Sequence, residues 1–431
     1  MKNKKRPLRW VRLDNAAKIY PAAIKRNWSN VFRQSMTLCE EVDAEILKSA
    51  LDITVKRFPT IAARLRRGVF WYYLEQVEKA PRIRDEKSYP ICFMSKDEMR
   101  KCAFRVIVYK ERIAVEFFHS LTDGTGAMIF LKTLVAEYLE QKYNIEIPCE
   151  NGILDRREKP KPEEIEDSFL KYAGKVAASR KDTNAWAMSG SIQTDGFLNL
   201  TCFTMPVKDA LDLAHKYNVT LTVFISAVMM KALINLQNEK NPDITKHKRV
   251  KILIPVNLRS LFESKTLRNF AMFTVPEIDP RMGEFDFSEI CKIIHHKMGL
   301  EVTPKNMASV IATNVNDEKN LLLRIVPLPI KNIVMKAVFN SVGEKKSCLS
   351  LSNLGAVKLP EIMMEYVKRI DFILGVQAAA PYNCGVISFK DTLYVNFIRN
   401  IKEPDLERHF FAVLREMGAR VTVESNRNER C

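Results

Sequence analysis

Phe117-Phe118-His119-Ser120-Leu121-Thr122-Asp123-Gly124 sets a histidine and an aspartate four positions apart at a sharp structural break. Upstream, Arg112-Ile113-Ala114-Val115-Glu116-Phe117-Phe118 is rich in β-branched and aromatic residues, the composition of a largely buried strand. Downstream, Thr125 to Glu140 (TGAMIFLKTLVAEYLE) has the pattern of a helix, with Asp123-Gly124 as its start signal. His119 is therefore expected at the end of a strand, where its backbone is held and its ring can face a cleft. An unperturbed imidazole titrates near pH ~6.5 and is mostly neutral at pH 7, so it can take a proton from a hydroxyl or amine that attacks a carbonyl. On spacing alone, a histidine satisfied within a core and an aspartate that merely caps a helix explain the segment slightly better than catalysis does. Asp123 is open to two further roles, orienting the histidine or fixing its loop through a buried ion pair with an arginine.

Moving outward, Ala103 to Tyr109 and Arg112 to Phe118 flank Lys110-Glu111 and predict a hairpin leading into the motif. Glu41 to Lys56 alternates acidic and apolar residues at helical spacing and predicts an amphipathic helix ending before Pro59. Leu154 to Asp167 (LDRREKPKPEEIED), dense in charge and proline, predicts a solvated connector and a boundary. A strand over Phe197 to Met205, a helix over Val207 to Tyr217 and an all-round apolar helix over Leu221 to Leu236 follow. That last helix is expected to be buried, being too short, with Lys231 too central, for a membrane span. Val386 to Phe389 and Leu393 to Arg399 predict a second hairpin, and Pro404 and Gly418 bracket a final helix. His295-His296 lies in a helical pattern, where neighbours point about 100° apart, so a surface pair is expected rather than a metal site. Ile325 to Phe339 mixes Lys331 and Lys336 with apolar residues; core packing is expected, with a membrane-facing or channel-covering helix as the alternative. The organisation is 1–165, a connector over 166–195, and 196–431.

A chain of 431 residues with 47% hydrophobic content can build two sizeable cores. Nine cysteines, scattered and without a Cys-x-x-Cys pair, describe neither a disulfide framework nor a zinc site and fit a reduced cytoplasm. The basic start MKNKKRPLRWVR has no apolar run behind it and is not expected to be a signal peptide. A net charge of +17 is compatible with coenzyme A phosphates, an acidic carrier protein, weak association with an anionic membrane surface, or simple solubility. The early basic clusters are Lys2, Lys4, Lys5, Arg6, Arg9 and Arg12, then Arg64, Arg66 and Arg67; without a nucleic-acid motif beside them, nucleic acid is not an expected partner.

With His119, Asp123 and Gly124 in view, the motif resembles the HHxxxDG signature of the chloramphenicol acetyltransferase-like superfamily. Leu221 to Leu236 followed by Lys251-Ile252-Leu253-Ile254-Pro255-Val256-Asn257-Leu258-Arg259 resembles that family's buried helix and Pro-Val-x-x-Arg strand. Arg268-Asn269-Phe270 resembles its Gly-Asn loop, and Ser350-Leu351-Ser352-Asn353-Leu354-Gly355 its late Ser-Asn element. Arg12 to Pro21 resembles the start of the bacterial alcohol acetyltransferase branch, the branch that looks most similar, and Phe58 to Leu65 resembles the family's segment after the first helix. The first histidine of the doublet is Phe118 here, and the plant branch's DFGWG element is missing.

The resemblance implies an α/β protein of two chloramphenicol acetyltransferase-like subdomains, mixed sheets flanked by helices, with a channel between them that donor and acceptor enter from opposite faces. It implies transfer of an acyl group, acetyl in the closest branch, from coenzyme A to an alcohol or amine with His119 as general base. Asp123, Gly124 and Arg259 take structural parts, Arg259 pairing with Asp123, and Asn257, Ser352 and Asn353 are candidate acceptor or oxyanion contacts. No metal and no bound cofactor is expected, acyl-CoA being a cosubstrate, and the protein is expected to be a monomer. Two other readings stay open: a condensation-type enzyme fed by a carrier protein, and a non-catalytic scaffold of the same fold.

Overall fold

The computed structural model describes residues 10–25, 28–86, 89–176, 183–193, 196–319, 325–339, 344–377 and 380–426. The basic residues from Lys2 to Arg9, and Cys431, lie outside them. Among the described residues sixteen strands form three sheets. A small antiparallel sheet has the order β1 (Trp10–Arg12), β4 (Tyr72–Gln76), β3 (Ala63–Arg67). A five-stranded sheet runs β13 (Val367–Ile373), β2 (Val31–Leu38), β7 (Arg112–Phe118), β6 (Phe104–Tyr109), β5 (Arg84–Asp85). The third runs β10 (Ala271–Thr274), β9 (Val250–Asn257), β12 (Leu349–Val357), β14 (Tyr382–Phe389), β15 (Thr392–Arg399), β8 (Asn199–Pro206), β16 (Thr422–Ser425), with β11 (Glu277–Ile278) also on β9. Parallel pairs (β5 with β6, β12 with β9 and β14) occur among antiparallel ones, so both large sheets are mixed.

Two large apolar cores form, one on each large sheet with its helices, and the first also takes in Ile387, Phe389, Tyr394 and Ile398 from β14 and β15 of the other sheet. On the first, the strand-length alternation of β7 turns Val115 and Phe117 toward the motif helix Gly124–Tyr143, where Phe130 meets Phe58, Phe104 and Phe117 edge-on with ring centroids 5.1 to 5.7 Å apart. Truncating such a buried aromatic costs roughly 3–5 kcal/mol. The amphipathic helix forms over Ala44–Arg57, capped by Asp43, whose carboxylate accepts from the N–H groups of Glu45 and Ile46. On the second sheet the apolar helix extends over Leu221–Lys240, longer than its apolar core alone defined because polar residues continue the helical pattern. It is long and apolar enough to cross a membrane by length and composition, contrary to expectation, but 72% of its apolar window is sheathed by protein. Lys231 reaches the Phe285 carbonyl at 3.1 Å. Both expected hairpins form, β6–β7 and β14–β15, each turning on a lysine with positive φ (Lys110 and Lys390).

Two further findings differ from the sequence reading, and a third lies outside it. The Leu154–Asp167 segment is not simply solvated: Glu164 is buried and receives two hydrogen bonds from the Arg57 guanidinium at 2.6 and 2.7 Å, so the connector is pinned to the first long helix. The helix at Leu328–Val338 packs on one side only. It buries Leu328 and stacks Lys331 over Trp71, while Ile330, Ile333 and Val334 face outward. Finally, β13 comes late in the chain yet pairs antiparallel with β2 of the first sheet, Phe372 opposite Gln34 and Ile370 opposite Met36. The Phe372 carbonyl lies so near Gly385 of β14 that a Cβ there would overlap it, and the Asn396 amide donates to the same carbonyl at 3.3 Å. One strand thus completes the first sheet and presses on the second. His295 and His296 are both exposed on the helix Phe287–Glu301.

The Arg57–Glu164 pair yields a testable expectation. Burial alone raises the Glu164 carboxyl, but the Arg57 hydrogen bonds, the Lys161 N–H and the Arg57 charge outweigh it and hold the group below its ordinary value. A depressed carboxylate contributes stability above its unfolded pKa and loses it as pH falls through the folded value. Arg57→Ala should cost about 3–5 kcal/mol in chemical denaturation at pH 7, because it strands a buried carboxylate. Glu164→Gln should flatten the acid side of the stability profile; an unchanged acid limb would show that this pair does not anchor the connector.

Candidate active site

His119 sits one residue past β7, its backbone N–H continuing the ladder to the Asn30 carbonyl at 2.9 Å. Successive side chains alternate, so Phe118 is buried on the Glu116 face while His119 falls on the Phe117 face. The residue that replaces the first histidine of the motif therefore points away from the ring of the second. The imidazole is stacked on Tyr20 (centroids 4.8 Å, planes 29° apart) and flanked by Phe32 at 4.9 Å. It is deeply set but keeps some solvent-accessible surface. Burial is the main influence on its basicity and pushes the pKa below the ordinary histidine value. A hydrogen bond to its own backbone carbonyl, the Asp123 charge and the contact with Asn269 partly oppose this. Tyr20, partly buried and near Asp14 and Asp123, has its phenol pushed well up by desolvation and by those charges and stays neutral.

Asn269 and Asp14 were not among the residues assigned a role from sequence. Asn269 Oδ1 lies 3.1 Å from His119 Nδ1, and Asn269 Nδ2 donates to Asp14 Oδ2 at 3.3 Å. Both lay within segments whose likeness to relatives was legible, Arg268-Asn269-Phe270 and the opening Arg12 to Pro21. No spacing rule joins positions 255 residues apart, so only the fold could bring them together.

Asp123 is fully occupied. Oδ1 accepts from the N–H groups of Thr125 and Gly126, both at 3.1 Å, and so caps the motif helix; Oδ2 accepts from Arg259 Nη1 and from the Phe270 N–H, both at 2.8 Å. Arg259 in turn donates to the Thr266 and Arg268 carbonyls at 2.9 and 2.6 Å. The loop 266–270 is thereby laid across the start of the motif helix, and Thr122 Oγ1 donates to the Leu267 carbonyl at 2.6 Å. A Cβ at Gly126 would overlap that carbonyl and Thr122 Oγ1, so this position admits only glycine without moving backbone. Gly124 is covered by the Leu354 side chain and its carbonyl is held by Gln34 Nε2 at 2.7 Å.

The remaining predicted residues are placed around, not on, the imidazole. Asn257 is exposed, and its Oδ1 accepts from the Arg259 N–H at 3.1 Å. Asn353 donates to Thr222 Oγ1 at 3.0 Å and accepts from the Gly355 N–H at 2.8 Å. Ser352 is buried on β12 two residues before Leu354. The His119 Nδ1 contact goes to Asn269, not to any of these three. Among the described residues no group of three or more His, Cys, Asp or Glu is placed to hold a metal. On the opposite face of the first sheet a cleft of about 690 Å³ opens toward β8 and β16, but His119 is not in its lining. Its arginines are matched by acids, Arg33 with Glu86 and Arg369 with Asp371 and Glu424, which makes it a poor magnet for phosphate.

The geometry of Asp123 and Arg259 predicts strong coupling. Asp123→Ala should cost about 3–5 kcal/mol, the scale of stranding one member of a buried ion pair. A double-mutant cycle with Arg259→Ala, read by chemical denaturation, should give a coupling of about 1–3 kcal/mol. Additive losses, with Asp123→Ala costing only the ~1 kcal/mol of a helix cap, would refute the pair's anchoring role.

Comparison with known proteins agrees with this arrangement at the level of fold. No family model and no curated protein matches the sequence. Solved structures do match, over nearly the whole chain. TRI101 of Fusarium sporotrichioides, solved with coenzyme A and T-2, has a TM-score of 0.63 at 12% identity, covering 95% of this chain and 99% of that one. TRI3 trichothecene 15-O-acetyltransferase from the same fungus gives 0.60 at 11%, covering 95% and 94%. Polyketide synthase associated protein 5 from Mycobacterium tuberculosis gives 0.59 at 12%, covering 94% and 96%. With its two mixed sheets, the strand that crosses between them and the motif at their junction, this chain has the two-subdomain chloramphenicol acetyltransferase-like fold.

Proposed function

We propose that this protein is an acyltransferase that moves an acetyl group from coenzyme A to the hydroxyl of an alcohol, with His119 as general base. The observation that carries the reading is the state of the imidazole. Its Nδ1 is engaged by the protein, its Nε2 is left for substrate, and burial keeps it neutral at pH 7. Nε2 takes the acceptor's proton as the hydroxyl oxygen attacks the thioester carbonyl. The tetrahedral intermediate then collapses, the carbon–sulfur bond breaks, and the thiolate of coenzyme A receives the same proton from the imidazolium. Base and acid are one residue, so no second titrating group is required. The likeness to TRI101, solved with coenzyme A and T-2, supports both the donor and the hydroxyl acceptor, as does the +17 net charge for a polyphosphorylated donor.

His119→Ala should lower acyl transfer by about 10² to 10⁴ while leaving the melting temperature near that of the parent. Because the base must be neutral and its pKa is depressed, kcat/KM should rise with pH through a value below ~6.5 and be level at neutrality. Transfer by purified His119→Ala at the parental rate would sink the mechanism. For the donor, calorimetric titration should detect coenzyme A at low salt with affinity that weakens as salt rises. No binding, together with transfer from a loaded carrier protein, would move the activity to the condensation class.

A further inference from the structure

Asn269 and Asp14 take no part in the proton transfer as proposed, yet both are buried, 3% and 1% exposed, and they are joined end to end to the imidazole. We propose that Asp14 and Asn269 are positioning residues that hold His119 in the tautomer with Nδ1 protonated and Nε2 free, Asp14 acting through the orientation it imposes on the Asn269 amide. The inference rests on the acyl-transfer reading for its consequence, but its structural content stands apart from activity.

The argument is one of donors and acceptors. A side-chain amide has an accepting end and a donating end of nearly equal shape, and only its partners decide which faces where. An ionised carboxylate accepts and never donates. Asp14 Oδ1 is taken by the Ala17 N–H at 2.8 Å, and Oδ2 faces Asn269. The end of Asn269 turned to Asp14 must then be the NH₂ group, and the end turned to His119 must be the carbonyl. A carbonyl at hydrogen-bond distance from Nδ1 requires a proton on Nδ1. A neutral ring carries one such proton, so the lone pair is on Nε2, where a base is needed. Tyr20 and Phe32, packed on the ring, keep it from turning over to exchange the two nitrogens.

Burial is the largest influence on Asp14 and holds its carboxyl above the ordinary value; the Arg268 guanidinium at 3.8 Å, the Ala17 N–H, the Asn269 amide and Lys18 oppose that rise, and wherever the carboxyl is ionised the amide is fixed as described. The other charged or titratable groups that bear on the imidazole are Asp123 and the neutral Tyr20 phenol. A rival holder of the tautomer exists: His119 also bonds its own backbone carbonyl. The relay matters only if that bond is insufficient alone.

The test uses the full chain labelled with ¹⁵N-histidine, with the His119 signals assigned by their loss in His119→Gln. Parent protein at pH 7.5 should show the Nδ1–H tautomer alone. Asn269→Leu removes the acceptor, and Asp14→Asn offers a donor where a carboxylate stood and so permits the inverted amide. Both should show mixed tautomers, and kcat should fall on the order of 10²-fold with KM for the acyl donor unchanged. In Asn269→Leu the acid limb of the pH profile should also move lower, since a bond favouring imidazolium is gone. If Asn269→Leu fails to fold by circular dichroism, the near-isosteric Asp14→Asn carries the test. A folded variant that keeps the single tautomer and the parental kcat would overturn the relay in favour of the backbone carbonyl. Should the parent show no acyl transfer, the spectra still decide: a single Nδ1–H tautomer lost in both variants upholds the relay, and a mixture in the parent refutes it.

Discussion

The Asp123 carboxylate accepts four hydrogen bonds from two directions, and the site depends on that division. One oxygen holds the first turn of the motif helix, which belongs to the first core. The other holds Arg259 and the Phe270 N–H, which belong to the second half of the chain. A charge this buried is tolerable only when each lone pair has a donor, and here each has one. The consequence is geometric: the 266–270 loop is pressed against the helix start closely enough that Gly126 can carry no side chain, and Asn269 arrives beside His119. An aspartate four residues from the histidine thus shapes the imidazole's surroundings without touching it.

The same logic accounts for how little sequence is shared with proteins of the same fold. At 11 to 12% identity over almost entire chains, most side chains differ while the fold is shared. Core positions accept many apolar residues of suitable volume, since their attraction is non-directional. The carboxylate and guanidinium at the junction have no such latitude, because their bonds have fixed directions and a missing partner leaves a buried charge.

Local periodicity made part of this legible. β6 and β7 were read within a residue, and the motif helix, Ala44–Arg57 and the β14–β15 hairpin were read as elements with ends up to three or four residues off, β14 beginning at Tyr382 where Val386 was expected. The motif histidine and aspartate were readable because strand end and helix cap adjoin in sequence. Asp14 and Asn269 were not, since nothing local marks an aspartate in an opening loop as the partner of an asparagine 255 positions on. Neither β13 nor its partner was read, and even a strand's pattern reports that one face is buried and not against what. The exposed Ile330, Ile333 and Val334 were misjudged for a related reason: helical spacing of apolar residues is normally the mark of a buried face, and here the buried face is held by Leu328 and by Lys331 over Trp71.

The position of β13 sets the order in which the molecule can be completed during synthesis. Domains emerge from the ribosome N-terminus first, and the first core could otherwise close once the motif helix has appeared. Its sheet, however, ends at β2, and the strand that pairs with β2 is made only after residue 366. Until then β2 is an unpaired edge carrying Val31, Phe32 and Met36, the kind of edge on which chains associate wrongly. A fragment cut anywhere between the two halves would keep that edge for good, so the pair of sheets is a single inheritance: neither half can be lent to another protein without the strand that belongs to both.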